Sequence, residues 1–416
     1  MPIARRKETV AQDTPFLSAA ESSTDTRDAA GRPGRSDATA VRLDALTGVR
    51  ALAALWVMMY HFSYIPFGAL HLLENVPAVN AGYLGVDLFF ILSGFIITHT
   101  HRRDAGSLMR RAVLGFYVRR LARLYPVHLL MLVALLVILW LGHIFGVAAN
   151  RPEAFRPIDF FYNVILVQAW GVGTDLSWNF PAWSISCEWF AYLAFPLLAF
   201  GLTRITAPRA AIRWLAVTIA AFVLAYWLFD FDLGESMNGS RALARIAFEF
   251  TAGALCCRLT ELTNLRTLPW TLLVLAATAV AVALSNTPAR DLAIIGVSGV
   301  VIVAGRYGDN LVARFLALPL LVYLGEISYS LYMVHVPIRM TLGKFAEHAI
   351  DRLGPGFEEC LAAAAFCLIT VAIAAAVYHL VEVPARRWVL RWCAGRDLAL
   401  PLDADVFGAR LEAESE

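Results

Sequence analysis

The chain has 416 residues, of which 59% are hydrophobic and 16% are charged, and its formal net charge is +2. Soluble globular proteins typically contain roughly 45–50% apolar and about 25% charged residues. A water-soluble fold cannot bury this much apolar surface, so the composition excludes an ordinary soluble enzyme, a disordered chain and a disulfide-stapled miniprotein. The near balance of charges gives no basic surface for nucleic acid. We therefore expect an all-α, polytopic membrane bundle with no nucleic-acid partner.

The two ends of the chain differ from its middle. Residues 1–42 are polar, small and mixed in charge, and they lack the apolar core of a signal peptide. They predict a disordered cytoplasmic tail, and residues 391–416 predict a second cytoplasmic tail. Between them, residues 43–390 form the predicted membrane domain. The six cysteines follow no zinc-ligand or redox spacing, so the sequence predicts no metal site.

The membrane domain divides into apolar segments, and a helix that crosses a bilayer needs about 20 mostly apolar residues. An apolar segment at 158–170 is too short to cross, and we interpret it as an interfacial or re-entrant piece. About ten segments meet the requirement: 44–66, 82–100, 126–148, 181–201, 212–230, 241–260, 268–284, 291–305, 316–340 and 360–383.

The positive charges predict how these spans are oriented, because cytoplasmic loops are enriched in Lys and Arg. With the N-terminus in the cytoplasm, 26 of the 35 Lys and Arg residues fall on the cytoplasmic side and 7 fall outside. Arg50 and Arg245 lie within predicted spans. The sequence thus predicts a multi-pass protein of the cell inner membrane with both termini in the cytoplasm.

The first span carries an arginine and a histidine on one face. Arg50 and His61 are eleven residues apart. At 100° per residue, this spacing equals three turns plus 20°, which places them about 16 Å apart along the axis. Taken alone, Arg50 could extend its side chain to the membrane surface and His61 could lie at the interface. Because the two residues share one face, we favour a ligand that extends along this helix.

Polar residues on other spans are expected near His61. Asp87, Glu188 and His335 fall at a similar predicted depth, and two imidazoles with two carboxylates form an acid–base constellation. Hydrogen bonds between helices are the alternative interpretation. Ser184 shares a helix face with Glu188, and hydroxyls near His335 are candidate oxyanion donors: Ser328, Tyr329, Ser330 and Tyr332.

The segment before the third span is rich in arginine. Residues 102–125 contain seven arginines and no lysine, and Arg119, Arg120 and Arg123 crowd at its end. Guanidinium groups bind phosphate oxygens in bidentate fashion, so the cluster predicts a phosphate site that Arg50 joins. Anchoring to anionic lipid is the alternative interpretation.

Five segments together resemble the acyltransferase family 3 of membrane O-acyltransferases. They read LDALTGVRALAALWVMMYHF, GVDLFFILSGFII, YVRRLARLYP, WSISCEWFAYLAFPLL and LGEISYSLYMVHVP, in the order of the family. The resemblance implies transfer of an acyl group, most often acetyl, from acyl-CoA to a sugar or glycolipid. Acyl-CoA is then a co-substrate, and no bound cofactor is expected.

The resemblance also implies roles for matching residues. Arg50 and His61 match the family's arginine and histidine of the first helix, and Arg120 and Arg123 match its Arg-x-x-Arg motif. Asp87 and Glu188 match its acidic positions. In the mechanism that we expect, His61 is the general base and Asp87 or Glu188 orients it.

The remaining roles follow from the same hypothesis. Arg50, Arg119, Arg120 and Arg123 would hold the donor's phosphates. An acyl-histidine intermediate is an open alternative to direct transfer. A proton-coupled transporter or flippase and a non-catalytic scaffold are the competing functions. The predicted substrate contacts are Ser184, Ser328, Tyr329 and His335.

Overall fold

The computed structural model describes residues 35–64, 73–146, 151–174, 177–350 and 357–394. Within these ranges every regular element is helical, which confirms the predicted all-α class. The longer helices are, in chain order, α1 (Arg35–Ser63), α2 (Gly85–Ala105), α3 (Arg110–Ile144), α4 (Pro157–Val164), α5 (Trp183–Thr203), α6 (Pro208–Leu228), α7 (Gly239–Leu262), α8 (Trp270–Ala283), α9 (Arg290–Arg306), α10 (Leu311–Leu316), α11 (Pro319–Glu326), α12 (Ser328–Ile350), α13 (Phe357–Val377) and α14 (Val383–Ala394).

Several helices of the described chain are long and apolar enough to cross a bilayer, as expected of a multi-pass membrane protein. The count of ten spans and the cytoplasmic termini stay predictions. By length and composition six segments qualify: Asp44–Ser63, Pro77–Ala105, Arg110–Ile144, Phe180–Thr203, Pro208–Leu228 and Cys360–Cys393.

The predicted tails fall mostly outside the described residues. This holds for 1–34 of the first tail and for 395–416 of the second. The backbone of residues 35–42 is helical and forms the start of α1, and the second tail's first residues end α14.

Two predicted segments differ from the helices of the structure. The helix that contains most of the predicted third span starts before residue 126, because α3 begins at Arg110 and includes the arginine cluster, with Pro126 inside the helix. Seven arginines in residues 102–125 lower the hydropathy of this segment, so a hydropathy criterion misses the first four turns of α3. Arginine nevertheless favours helix.

The predicted continuous span 316–340 is also wrong, because the chain breaks there into α10, α11 and α12. Proline lacks an N–H and favours the first position of a helix, and Pro319 begins α11 after Leu318 in an extended conformation. The break packs directly on α1. A Cβ at Gly48 would lie 1.9 Å from the Leu316 carbonyl oxygen, and one at Gly325 would lie 1.9 Å from that of Thr47. Only glycine permits this approach, which brings Arg50 beside the start of α12.

Helices α2 and α7 also approach each other closely. A Cβ at Gly94 would lie 2.0 Å from the Phe250 carbonyl oxygen, and one at Gly253 would lie 1.9 Å from that of Ile91. Small residues let helix backbones approach in this way within membranes. Helix α2 of this pair lines one side of the cavity described below.

The short helix α4 corresponds to the predicted interfacial or re-entrant piece. Its eight residues span about 12 Å, too little to cross a bilayer. The buried carboxylate of Asp159 accepts hydrogen bonds from Arg156 (2.8 Å) and the Thr174 hydroxyl (2.7 Å), which ties the loop after α4 to its start. The bonded Arg156 guanidinium lowers the pKa of the Asp159 carboxyl.

Candidate active site

A cavity of about 1390 Å³, counting its open mouth, lies among α1, α2, α3, α5 and the α11–α12 junction. Apolar side chains of α2 form much of one wall. The polar and charged side chains that line it are Arg50, Ser93, Thr100, His101, Arg120, Arg123, Ser184, Glu188, Tyr192, Glu326, Tyr329, Tyr332, Tyr378 and Arg386. The four arginines outnumber the two carboxylates, so the cavity suits an anionic ligand with apolar parts.

Two of the predicted phosphate-binding arginines are held in place by neighbouring helices. Arg50 Nε donates to the Ser328 hydroxyl at 3.2 Å, which joins α1 to α12. Arg123 forms an ion pair with the buried carboxylate of Glu382, and its guanidinium lies 5.4 Å from the centre of the Tyr329 ring. Both arginines line the cavity, so the predicted phosphate-binding residues Arg50 and Arg123 lie together.

The other two predicted arginines, Arg119 and Arg120, differ in whether they reach the cavity. Arg120 lines the cavity, whereas Arg119 is buried and is not part of its lining. Successive residues of a helix point about 100° apart, so the neighbours face different surroundings. Binding of the donor by Arg119 stays a prediction without support from the cavity.

Glu188 projects from α5 into the same cavity. Its carboxylate accepts hydrogen bonds from Ser93 (2.7 Å) on α2 and from Tyr192 one turn along α5. These contacts fix the carboxylate among the cavity's polar groups. In the described structure they do not connect it to His61.

His61 is instead paired with the second predicted histidine. His61 Nδ1 lies 3.0 Å from His335 Nε2, and His335 Nδ1 lies 2.7 Å from the Tyr332 carbonyl oxygen. His335 is fully buried, whereas His61 is partly exposed and also packs edge-on against Phe180. His335 is thus a partner of His61 rather than an isolated contact for the acceptor.

The partners assign the ring protons of this pair. A carbonyl oxygen only accepts, so Nδ1 of His335 carries a proton. Neutral His335 then has a bare Nε2, which accepts the proton of His61 Nδ1. His61 is left with an unprotonated Nε2. An imidazole held in this tautomer can take a proton from a hydroxyl group.

One wall of the cavity lies next to the histidine pair. Tyr332 lines the cavity, and its ring lies 5.7 Å from that of His335. Its hydroxyl donates to the Pro181 carbonyl at 2.9 Å and lies 2.8 Å from the Ser184 hydroxyl. Pro181 follows Phe180, which packs on His61. His61 and His335 are not among the residues that line the cavity, and Tyr332 is the lining residue that packs against His335.

The expectation that a carboxylate orients His61 is not met at Asp87. That carboxylate is fully buried and forms a two-point ion pair with Arg245 at 2.7 and 2.6 Å. Arg245 also donates to the Leu233 carbonyl at 2.7 Å. A buried carboxylate requires a countercharge, and the arginine of α7 satisfies that need. Asp87 thus joins α2 to α7, and His335 is the side chain bonded to His61.

Several site residues were missed by the sequence analysis. Arg386 lines the cavity although it follows the last predicted span, and Tyr192 bonds to Glu188. Ser330, which the sequence offered as an oxyanion donor, instead donates to Glu382 at 2.6 Å and so holds the partner of Arg123. An aromatic residue one turn after a carboxylate is a signal that could have identified Tyr192. No local sequence pattern places Arg386 at the cavity.

Comparisons with known proteins identify the family of the chain. A family model described as an acyltransferase domain matches residues 43–379. The acyltransferase MdmB of Streptomyces mycarofaciens is 33% identical over 44% of this chain and 46% of its own. The O-acetyltransferase OatA of Staphylococcus aureus is 23% identical over 83% of this chain and 57% of its own.

A further relative matches a shorter part of this chain. The peptidoglycan O-acetyltransferase OatA of Listeria monocytogenes is 26% identical over 36% of this chain. The chain spans about half the length of the first two relatives, and no solved structure matches it. The family model covers the histidine pair and the residues that line the cavity, apart from Arg386. The chain therefore belongs to this family of acyltransferases.

Proposed function

We propose that the chain is a membrane O-acyltransferase that moves an acyl group, in the simplest case acetyl, from acyl-CoA to a hydroxyl group of a sugar, glycan or glycolipid. The hydrogen-bonded pair of His61 and His335 carries this proposal. It supplies a base of defined tautomer beside a cavity suited to an anionic ligand. The names of the OatA relatives support acetyl as the group and a glycan as the acceptor.

The donor would occupy the cavity with its phosphates at the arginines. Arg50, Arg120, Arg123 and Arg386 offer guanidinium forks that match phosphate oxygens. The apolar side chains of α2 would contact the extended arm of the coenzyme. Arg50 and His61 are separated by about 16 Å on α1. This separation fits a donor that is charged at one end and reactive at the other.

The chemistry is a direct transfer. Nε2 of His61 takes the proton of the acceptor hydroxyl as its oxygen attacks the thioester carbon. The new C–O bond forms, the C–S bond breaks, and the leaving thiolate takes the proton from His61. His335 accepts the hydrogen bond of His61 Nδ1 throughout and stabilises the imidazolium. The acceptor enters from the outer side, where we place His61, and the bilayer is that of the inner membrane.

The test uses the purified full chain in nanodiscs with radiolabelled acetyl-CoA and glycan acceptors that include peptidoglycan fragments. The wild type should transfer label to the acceptor. His61→Ala should lower kcat by about 10²–10⁴-fold, because general-base catalysis contributes that much. The matched control is His143→Ala, which removes the imidazole of an exposed histidine near the end of α3.

Two results would contradict the proposal. Transfer of label at the wild-type rate by His61→Ala would remove the base. Movement of the glycan across the bilayer without label would indicate a transporter or flippase instead. An acyl-histidine route predicts labelled protein in the absence of acceptor, which acid quenching and mass spectrometry would detect at His61.

A further inference from the structure

Two hydroxyl groups that line the cavity share a single hydrogen-bond acceptor. Ser184 and Tyr332 each carry one O–H, and both reach the Pro181 carbonyl, at 3.1 and 2.9 Å. The two hydroxyl oxygens are 2.8 Å apart. One carbonyl therefore serves two donors. Either hydroxyl can hold Pro181 while the other donates elsewhere, so the carbonyl is not left unsatisfied.

The position of this pair relates it to the reacting groups. Both side chains are 5% exposed and line the cavity. The Tyr332 ring packs on His335, and Pro181 is adjacent to Phe180, which packs on His61. The two hydroxyls therefore lie on the cavity wall that adjoins the histidine pair, and the histidines themselves are not among the residues that line the cavity.

We propose that Tyr332 is the oxyanion donor of the transfer reaction: its hydroxyl turns from the Pro181 carbonyl to the thioester oxygen, while Ser184 holds Pro181 in its place. This inference rests on the proposed function. The sequence offered four hydroxyls of α12 for this task. Ser328 holds Arg50, Ser330 holds Glu382, and Tyr329 donates to the Leu124 carbonyl at 2.5 Å. Tyr332 alone among them has Ser184 as a replacement donor.

The step balances without a change in the protonation of Tyr332. Attack of the acceptor oxygen converts the thioester C=O into an oxyanion, and the Tyr332 O–H donates to that oxygen. The C=O reforms as the C–S bond breaks, and the hydroxyl returns to Pro181. A donor aimed at the developing charge in a buried site acts more strongly than it would in water.

The test compares Tyr332→Phe with the wild type in the acetyl transfer assay. The substitution keeps the ring against His335 and removes only the O–H. Loss of one oxyanion donor should lower kcat by about 10²–10³-fold with little change in the donor KM. Tyr125→Phe is the matched control, because the Tyr125 hydroxyl also donates to a backbone carbonyl (Val164, 2.6 Å) but lies outside the cavity. It should keep the wild-type kcat.

A second measurement does not depend on turnover. The carbonyl of ¹³C-labelled acetyl-CoA, bound without acceptor, should absorb at lower infrared frequency in the wild type than in Tyr332→Phe. A kcat for Tyr332→Phe within about twofold of the wild type, or identical bands, would overturn the assignment to Tyr332. That outcome leaves the proposed function intact. The proposed function is contradicted only by a wild type that transfers no label or by a His61→Ala variant that transfers it at the wild-type rate.

Discussion

At the scale of single residues, the bond between His61 and His335 decides which nitrogen of the base is available. His335→Phe keeps the volume of the ring but removes the acceptor for His61 Nδ1. Without it His61 is free to adopt the other tautomer or another rotamer. We expect kcat to fall by about 10²-fold with little change in the donor KM, because binding of the donor uses the arginines. Steady-state kinetics at varied acetyl-CoA measures both quantities.

A conservative variant separates this positioning role from simple loss of structure. His335→Gln places an amide oxygen near the position of Nε2 and should recover at least tenfold in kcat over His335→Phe. His128, also fully buried and bonded at 2.8 Å to the Asn163 carbonyl, provides the control. His128→Phe should lower Tm without lowering kcat. Equal activity of the two His335 variants would argue against a hydrogen-bonding role.

At the scale of helices, the ion pair of Asp87 and Arg245 joins α2, which lines the cavity, to α7. Removing one partner leaves the other charge buried and uncompensated, which costs about 3–5 kcal/mol. Asp87→Asn and Arg245→Gln should each lower Tm strongly. The double variant should lose less than the sum of the two, because the pair acts as a unit. Thermal unfolding in detergent measures the cycle.

The same variants test whether Asp87 takes part in the chemistry. The folded fraction of Asp87→Asn should keep kcat within about threefold of the wild type, because the structure connects Asp87 to Arg245 and not to His61. A loss of 10²-fold in protein with a normal Tm would restore the catalytic role that the sequence predicted.

These pairs show what the sequence could and could not predict. The shared face of Arg50 and His61 follows from the period of one helix, so it was predictable from local spacing. The partners of His61 and Asp87 lie 274 and 158 residues away along the chain. Several polar residues have the same predicted depth in the membrane. Only the packing of α2, α7 and α12 determines which of them become hydrogen-bonded partners. The break of 316–340 was accessible in principle, since Pro319 marks it.

At the scale of the whole molecule, the proposed reaction requires a fixed orientation in the bilayer. The arginines of the cavity must face the cytoplasm, where acyl-CoA is available, and the end of α1 that carries His61 must face outward. The asymmetry of Lys and Arg predicts this orientation. Two exposed residues report on it, because Ser107 lies between α2 and α3 and Glu153 lies beyond the other end of α3.

Single cysteines at these positions, in a chain whose own six cysteines are replaced, test the orientation in intact cells. Glu153→Cys should react with a membrane-impermeant maleimide added outside, and Ser107→Cys should react only after the membrane is permeabilised. Both variants should keep acetyl transfer, which confirms that the labelled protein is folded. The reverse pattern would place the arginine-lined cavity on the side without acyl-CoA. The donor would then have no route to its phosphate site, and the proposed direction of transfer would fail even if the histidine pair were intact.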